Sequence, residues 1–253
     1  MDELDKKIED AKLIIEKVIK DYPKIAIACS FGKDSIVVTH LVRSINKTIP
    51  VFSIMTIFKP KDTYKYLVKM YKFLSLEPFT VYMVADKIPN EFLSTGITVK
   101  LLPTEQFNKA VEDSAKNSKE PIYVSNPDLC CSLLKVEPTK LALRDLDAWV
   151  CGLRNTEGRT RIHDQKIEKK GNLIKVNPIL EFTESDVLNY VKRFNLPLHP
   201  WYSKVLPDGR RYRSLGCEPC TCPIFDYQLE REGRWVKTSK CGGECGIHTQ
   251  ILK

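Results

Sequence analysis

The sequence predicts an α/β fold built on a mostly parallel sheet with helices on both faces, and two observations carry that expectation. Short apolar runs suited to buried strands, at residues 24–29, 51–57 and 79–84, alternate with helical patterns at 35–45 and 63–74. Such alternation implies right-handed βαβ crossovers. The composition agrees: 253 residues, 43% hydrophobic and 28% charged, make an ordinary globular chain, long enough to bury a core without disulfides.

The elements follow in order. Leu4, Ile8, Ala11, Ile15 and Val18 recur at helical spacing, predicting an amphipathic helix to about Lys20 that Pro23 ends. The first strand, 24–29, leads through a polar loop into the helix at 35–45. Further on, 104–117 has a helical pattern and 121–128 reads as a loop leading to Cys130. Strands are expected at 148–153 and 173–176. A helix at 183–195 takes Thr183 as N-cap, with Asp186 in its first turn. After Pro197 the pattern becomes irregular and rich in Pro, Gly and Cys. The expected division is an α/β body at 1–199 and a C-terminal segment at 200–253.

Forty Lys and Arg against thirty-two Asp and Glu leave a net charge of +8, compatible with anionic ligands. No run of Lys or Arg is long enough to be a nucleic-acid-binding tail. No apolar run approaches the ~18–20 residues of a membrane span, and the acidic, amphipathic N-terminus is unlike a signal peptide. The expectation is therefore a cytoplasmic protein that binds neither membrane nor nucleic acid. In a reducing compartment, nine cysteines, six of them in two tight clusters, argue for metal or catalysis rather than disulfides.

Three constellations carry the chemistry. Ser30-Phe31-Gly32-Lys33-Asp34-Ser35 follows a buried strand and opens a helix. Free N–H groups, the helix dipole, the hydroxyls of Ser30 and Ser35 and the charge of Lys33 together suit an anion. The loop lacks Walker-type spacing. The second constellation pairs Cys130-Cys131 with Cys217 and Cys220. Tandem cysteines rarely converge on one tetrahedral ion, whereas an iron–sulfur cluster offers separate irons. A zinc site from Cys217, Cys220, Cys241 and Cys245 also has acceptable spacing, but leaves Cys130-Cys131 without a purpose. Third, Cys245 follows Gly242-Gly243 near the C-terminus, where a nucleophilic thiol can enter a site and leave it again. Arg231 and Arg234 precede it and supply a field that lowers a thiol pKa.

The loop resembles the S-G-G-K-D-S pyrophosphate loop of the adenine-nucleotide alpha hydrolase-like superfamily. Tyr212 to Thr221, Arg231-Glu232-Gly233-Arg234-Trp235 and Glu244-Cys245-Gly246-Ile247-His248 resemble the C-terminal signature of assimilatory adenylyl sulfate/3′-phosphoadenylyl sulfate reductases. Cys130-Cys131 with Lys135 and Pro138 resembles their cluster helix, and Gly152-Leu153-Arg154, Arg161 and Asn177 to Val187 resemble the segments between. The resemblance implies a 4Fe–4S cluster on Cys130, Cys131, Cys217 and Cys220, and reduction of a sulfonucleotide to sulfite with a thioredoxin-type dithiol donor. It also implies a homo-oligomer, read here as a homodimer. Cys245 is then the nucleophile, Lys135 the cation between cluster and substrate, and His248 part of the same tail motif. Arg154, Arg161, Arg231 and Arg234 are phosphosulfate ligands, and Ser30, Phe31, Gly32, Lys33 and Ser35 hold the nucleotide phosphates.

Two departures stand out. Leu134 occupies a position where the family often has Arg. Lys59 and Lys61 follow the second strand where acidic or neutral residues are commoner, which tilts the expectation toward the 3′-phosphorylated substrate. The competing readings are a pyrophosphatase-type sulfurtransferase acting on tRNA and a zinc-stabilised nucleic-acid-binding module.

Overall fold

The computed structural model describes residues 2–158, 161–236, 238, 240, 244 and 247. Seven strands form one sheet in the order β4-β3-β2-β1-β5-β7-β6. They are β1 (Ile25–Ala28), β2 (Val51–Met55), β3 (Phe79–Val84), β4 (Thr98–Leu102), β5 (Ala148–Cys151), β6 (Ile167–Lys170) and β7 (Leu173–Val176). β1 pairs in parallel with β2 and β5, and β5 with β7, whereas β6 returns antiparallel to β7. β5 is buried along its whole length and β1 along all but its last residue, which is why they read as continuous apolar runs rather than as alternation.

The helices are α1 (Glu3–Asp21), α2 (Lys33–Ile45), α3 (Lys61–Phe73), α4 (Glu105–Asn117), α5 (Ile122–Ser125), α6 (Pro127–Cys131), α7 (Glu137–Leu143) and α8 (Glu184–Arg193), of which α2 packs on β1 and β5. Leu4, Ile8, Ala11, Ile15 and Val18 are the buried face of α1, as their spacing predicts. Asp2 caps α1 and Thr183 caps α8, each through a reciprocal capping box. Lys7 reaches Asp186 at 2.7 Å and Arg193 reaches Asp5 at 2.6 Å, pinning α1 to α8.

The structure departs from the sequence reading in three places. Residues 121–128, expected as a loop, hold α5 and the start of α6, both too short to show a helical period. β4 and β6 were not expected. They are the two edge strands, half-exposed, and a strand with little buried surface carries no strong apolar pattern. The strands expected to reach Ile57 and Leu153 stop at Met55 and Cys151.

The chain forms two compact units. The first comprises Met1–Ser53, Tyr66–Thr80 and Leu143–His199; the second comprises Ile54–Lys65, Val81–Ala142 and Pro200–Lys253. A boundary falls between His199 and Pro200, and the C-terminal segment shares its unit with the α4–α7 region.

Candidate functional site

In the first unit, β1 ends at Ala28 and the chain turns through Ser30-Phe31-Gly32 into α2. Gly32 is the N-cap and offers no side chain, so the first-turn N–H groups of α2 face outward without a capping side chain. Ser35 Oγ donates to the Gly32 carbonyl at 2.9 Å, and Ser30 Oγ donates to Ser35 Oγ at 3.2 Å, which fixes the loop. Phe31 stands where the resembled loop has glycine, and it takes a left-handed backbone, φ 60°. The cost of that conformation is of order 1–2 kcal/mol. Burial of the ring offsets it, edge-on to Tyr66 and Phe79 with centroids 6.4 and 5.8 Å away. Phe31 is thus a packing anchor for the loop.

The expected cations of this unit are buried. Lys33 lies 3.8 Å from both Asp34 and Glu184. Arg154, fully buried, donates from Nε to Asp34 at 2.6 Å and from Nη1 to Thr156 Oγ1 at 2.9 Å and the Phe182 carbonyl at 3.3 Å. Arg161 pairs with Glu157. Burial works against the charged form of Asp34, but Lys33 and Arg154 outweigh it and hold its carboxyl below the usual range. Gly152, directly after β5, presses on the start of α2: a Cβ there would sit 2.7 Å from the Asp34 carbonyl carbon and the Ser35 nitrogen. Glycine at 152 therefore lets β5 and the loop approach. Asp34, Glu184 and Gly152 were not singled out as site residues from sequence. Their position beside the carboxyl ends of β1 and β5, or on a helix facing them, is the signal that points to them.

The second unit brings the four expected cysteines together. Cys130 and Cys131 end α6, whose start is capped by Asn126, its side chain accepting from the Leu129 N–H at 3.1 Å. The helix widens into a π-turn over Ser132–Val136, carrying Lys135, before α7. Cys217 and Cys220 flank a single 3₁₀ turn, fixed by Thr221 Oγ1 donating to the Cys217 carbonyl at 2.8 Å. All four cysteines line one small cavity. The rest of its wall is Phe58, Tyr123, Pro127, Leu134 and Lys135.

This donor set fits an iron–sulfur cluster. All four thiols are buried and none is in a disulfide. Among the described residues, no three cysteine sulfurs lie within 4.8 Å of one another. That is wider than the ~3.8 Å sulfur spacing that a tetrahedral zinc with 2.3 Å bonds would impose. Burial pushes the Cys217 thiol up, yet Lys135, Lys59, the Thr56 hydroxyl at 3.2 Å and Arg234 outweigh it and hold it below its ordinary value. Trp235, packed against Cys217 and Cys220, has a buried indole N–H without a hydrogen-bond partner among the described residues. Thr56 and Trp235 were not assigned roles from sequence; Thr56 stands just past the carboxyl end of β2, where ligand-facing residues gather.

The remaining expected residues divide. Lys59 acts on Cys217, while Lys61 is exposed at the first position of α3. Arg234 Nε donates to the Cys220 carbonyl at 3.2 Å and Nη1 to the Leu215 carbonyl at 3.0 Å, and its guanidinium lies 4.5 Å over the Trp235 ring. Gly216 makes room for it, since a Cβ there would meet Arg234 Nη2 at 2.0 Å. Arg231 pairs with Glu244 at 2.8 Å. Cys241, Cys245 and His248 lie outside the described residues.

The chain is similar to known proteins along most of its length. Residues 24–223 match the phosphoadenosine phosphosulfate reductase domain family. Over 229 residues the chain is 33% identical to adenosine 5′-phosphosulfate reductase 2 of Bacillus subtilis, covering 90% of this chain and 84% of that protein. It is 34% identical over 226 residues to the adenosine 5′-phosphosulfate reductase of a Geobacillus species, covering 88% and 83%. The crystal structure of phosphoadenylyl-sulfate reductase from Candida auris in its phosphate complex shares the fold, with a TM-score of 0.59 at 18% identity over 88% of this chain and 98% of that one. FMN adenylyltransferase of Candida glabrata shares the fold at a TM-score of 0.58 and 15% identity, over 99% of this chain and 76% of that one. With its phosphate-type loop, its four gathered cysteines and this extent of similarity, the chain belongs to the phosphoadenosine phosphosulfate reductase domain family.

Proposed function

We propose that the protein is a sulfonucleotide reductase that converts adenylyl sulfate to sulfite and AMP, using Cys245 as nucleophile and a thioredoxin-type dithiol as reductant. The observation that carries this reading is the cavity that gathers Cys130, Cys131, Cys217 and Cys220 beside Lys135. Those four residues would hold a 4Fe–4S cluster, and bound there it would order the α6 turn and shape the field around Lys135 without exchanging electrons.

The chain's own residues account for the rest. The uncapped start of α2, with Ser30 and Ser35, receives the nucleotide phosphate. Lys33 and Arg154 add positive potential beneath that loop while remaining tied to Asp34. Lys135, beside the four cysteines, supplies positive charge that stabilises the leaving phosphate. The Cys245 thiolate attacks sulfur, the S–O bond breaks, AMP leaves, and S-sulfocysteine remains. One thiol of the donor attacks the Cys245 sulfur and displaces sulfite, and the resulting mixed disulfide is opened by the donor's second thiol, which becomes oxidised.

The name of the Bacillus and Geobacillus relatives, adenosine 5′-phosphosulfate reductase, favours adenylyl sulfate over its 3′-phosphorylated form. We also propose, from family resemblance, a homodimer; no described helix is long and apolar enough to cross a membrane. The test is anaerobic turnover of both sulfonucleotides with reduced thioredoxin and without ATP, with sulfite as the readout. Sulfite from adenylyl sulfate, abolished in Cys245→Ser with iron retained, supports the reading. A requirement for ATP, or loss of iron in Cys245→Ser, overturns it.

A further inference from the structure

Among the described residues that line the cysteine cavity, all are buried except Phe58 and Tyr123, which are half-buried. Solvent therefore meets this wall at two aromatic rings. The rings stand edge-on, with centroids 5.3 Å apart and planes at 76°, an arrangement that aromatic quadrupoles favour. The buried ring of Phe107 backs Phe58 from another side, again edge-on, at 6.1 Å. Phe58 packs against the apolar cluster that holds Cys130 and also against the one that holds Cys217 and Cys220. Its carbonyl accepts the Glu218 N–H at 2.8 Å, inside the turn between those two cysteines. Tyr123 packs only against the first cluster. Nothing in the sequence reading gave either ring a role, because the two are far apart in the chain.

We propose that Phe58 and Tyr123 form an aromatic gate over the cysteine cavity, which keeps hydrated and charged molecules away from what the four thiols hold. The gate presupposes that those thiols hold a cluster, as proposed above. Its selectivity follows from its make-up: a ring face offers a charged molecule no hydrogen bond to replace the water it sheds on entering. A small uncharged molecule sheds little and passes whenever the ring pair parts. An apolar cover also lowers the local dielectric, so the charges of Lys135 and Lys59 act more strongly on Cys217. The gate sets the rate at which the cavity is reached, since removing a ring leaves all four cysteines in place.

The test uses iron-loaded protein purified anaerobically. Iron loss is followed by the decay of visible absorbance with two chelators, bipyridine, which is small and uncharged, and bathophenanthroline disulfonate, which is bulky and anionic. Tyr123→Ala and Phe58→Ala are expected to speed loss to the bulky chelator about tenfold, the scale of one edge-on aromatic pair. Loss to bipyridine should rise by less. Tyr123→Phe keeps the ring and is expected to match wild type with both chelators. Wild-type rates in Tyr123→Ala overturn the proposal. Equal acceleration with both chelators also overturns it, since general loosening of the unit would not tell them apart. If Phe58→Ala takes up no iron, Tyr123→Ala and Phe58→Leu decide. A wild type purified without iron overturns the cluster reading instead. The gate is then read from iodoacetamide alkylation of the four thiols, and rates unchanged in Tyr123→Ala reject it there too.

Discussion

Replacing Gly152 with alanine puts a methyl group where the structure has none to spare. Its Cβ would lie 2.7 Å from the Asp34 carbonyl carbon, 2.7 Å from the Ser35 nitrogen and 2.8 Å from the Asp34 oxygen. All three are backbone atoms of the first turn of α2, so no side chain can swing away to relieve the clash. To reach an ordinary 3.4 Å contact, the strand end and the helix start must separate by about 0.7 Å. Overpacking of this kind costs about 1–3 kcal/mol. Displacement of the loop N–H groups approaches the ~1 Å misplacement that can lower a rate about a hundredfold. We expect Gly152→Ala to weaken AMP binding by tenfold or more and to lower kcat/KM for adenylyl sulfate by about ten- to a hundredfold. Iron content should not change, because the cysteine cavity is built from the other unit's residues. Isothermal titration with AMP, iron analysis and urea denaturation together make the assay. A variant that binds AMP as tightly as wild type with unaltered stability refutes the argument that this approach sets the loop.

Other expectations follow from the same geometry. Arg154→Leu leaves the buried Asp34 carboxylate without its 2.6 Å partner, so urea denaturation should show a loss of about 3–5 kcal/mol. Cys217→Ser should lose iron and its visible absorbance, while Cys151→Ser should keep both. Burial pushes the Cys151 thiol up to about 11, and it donates to Asn177 Oδ1 at 3.0 Å instead of facing the cavity. For pH, burial opposes ionisation of Asp186, but Lys7 and Thr183 outweigh it and hold its carboxyl below the usual range. A carboxyl depressed on folding adds stability that is fully present above its unfolded value near ~4 and is lost as pH falls through the folded value. Asp186→Asn should therefore be less stable than wild type at neutral pH, and the gap should close in acid. A gap constant from pH 7 to about 3 in urea titrations rejects that linkage.

Much of this molecule was already legible in the sequence, where the information is local. The apolar run before Ser30, the polar turn and the helix behind it are neighbours in the chain, so strand, loop and helix start follow from one short stretch. The capping box at Thr183 and the buried stripe of α1 are equally local. The tandem Cys130-Cys131 pointed to a cluster because adjacent ligands suit separate irons better than one small ion.

What the tertiary structure decided concerns partners that lie far apart in sequence. The edge strands β4 and β6 bury too little to leave a pattern, and only their pairing with neighbours makes them strands. Pattern alone made Lys33, Arg154, Arg161 and Arg231 a set of open cations for an anionic substrate. Folding gives each a carboxylate: Asp34 and Glu184 for Lys33, Asp34 for Arg154, Glu157 for Arg161 and Glu244 for Arg231. A positive residue in a sequence advertises its charge, but whether that charge faces a ligand or a buried carboxylate depends on which chain segments burial brings together. A buried charge without a partner is too costly to persist, and only the folded chain determines which partner it has.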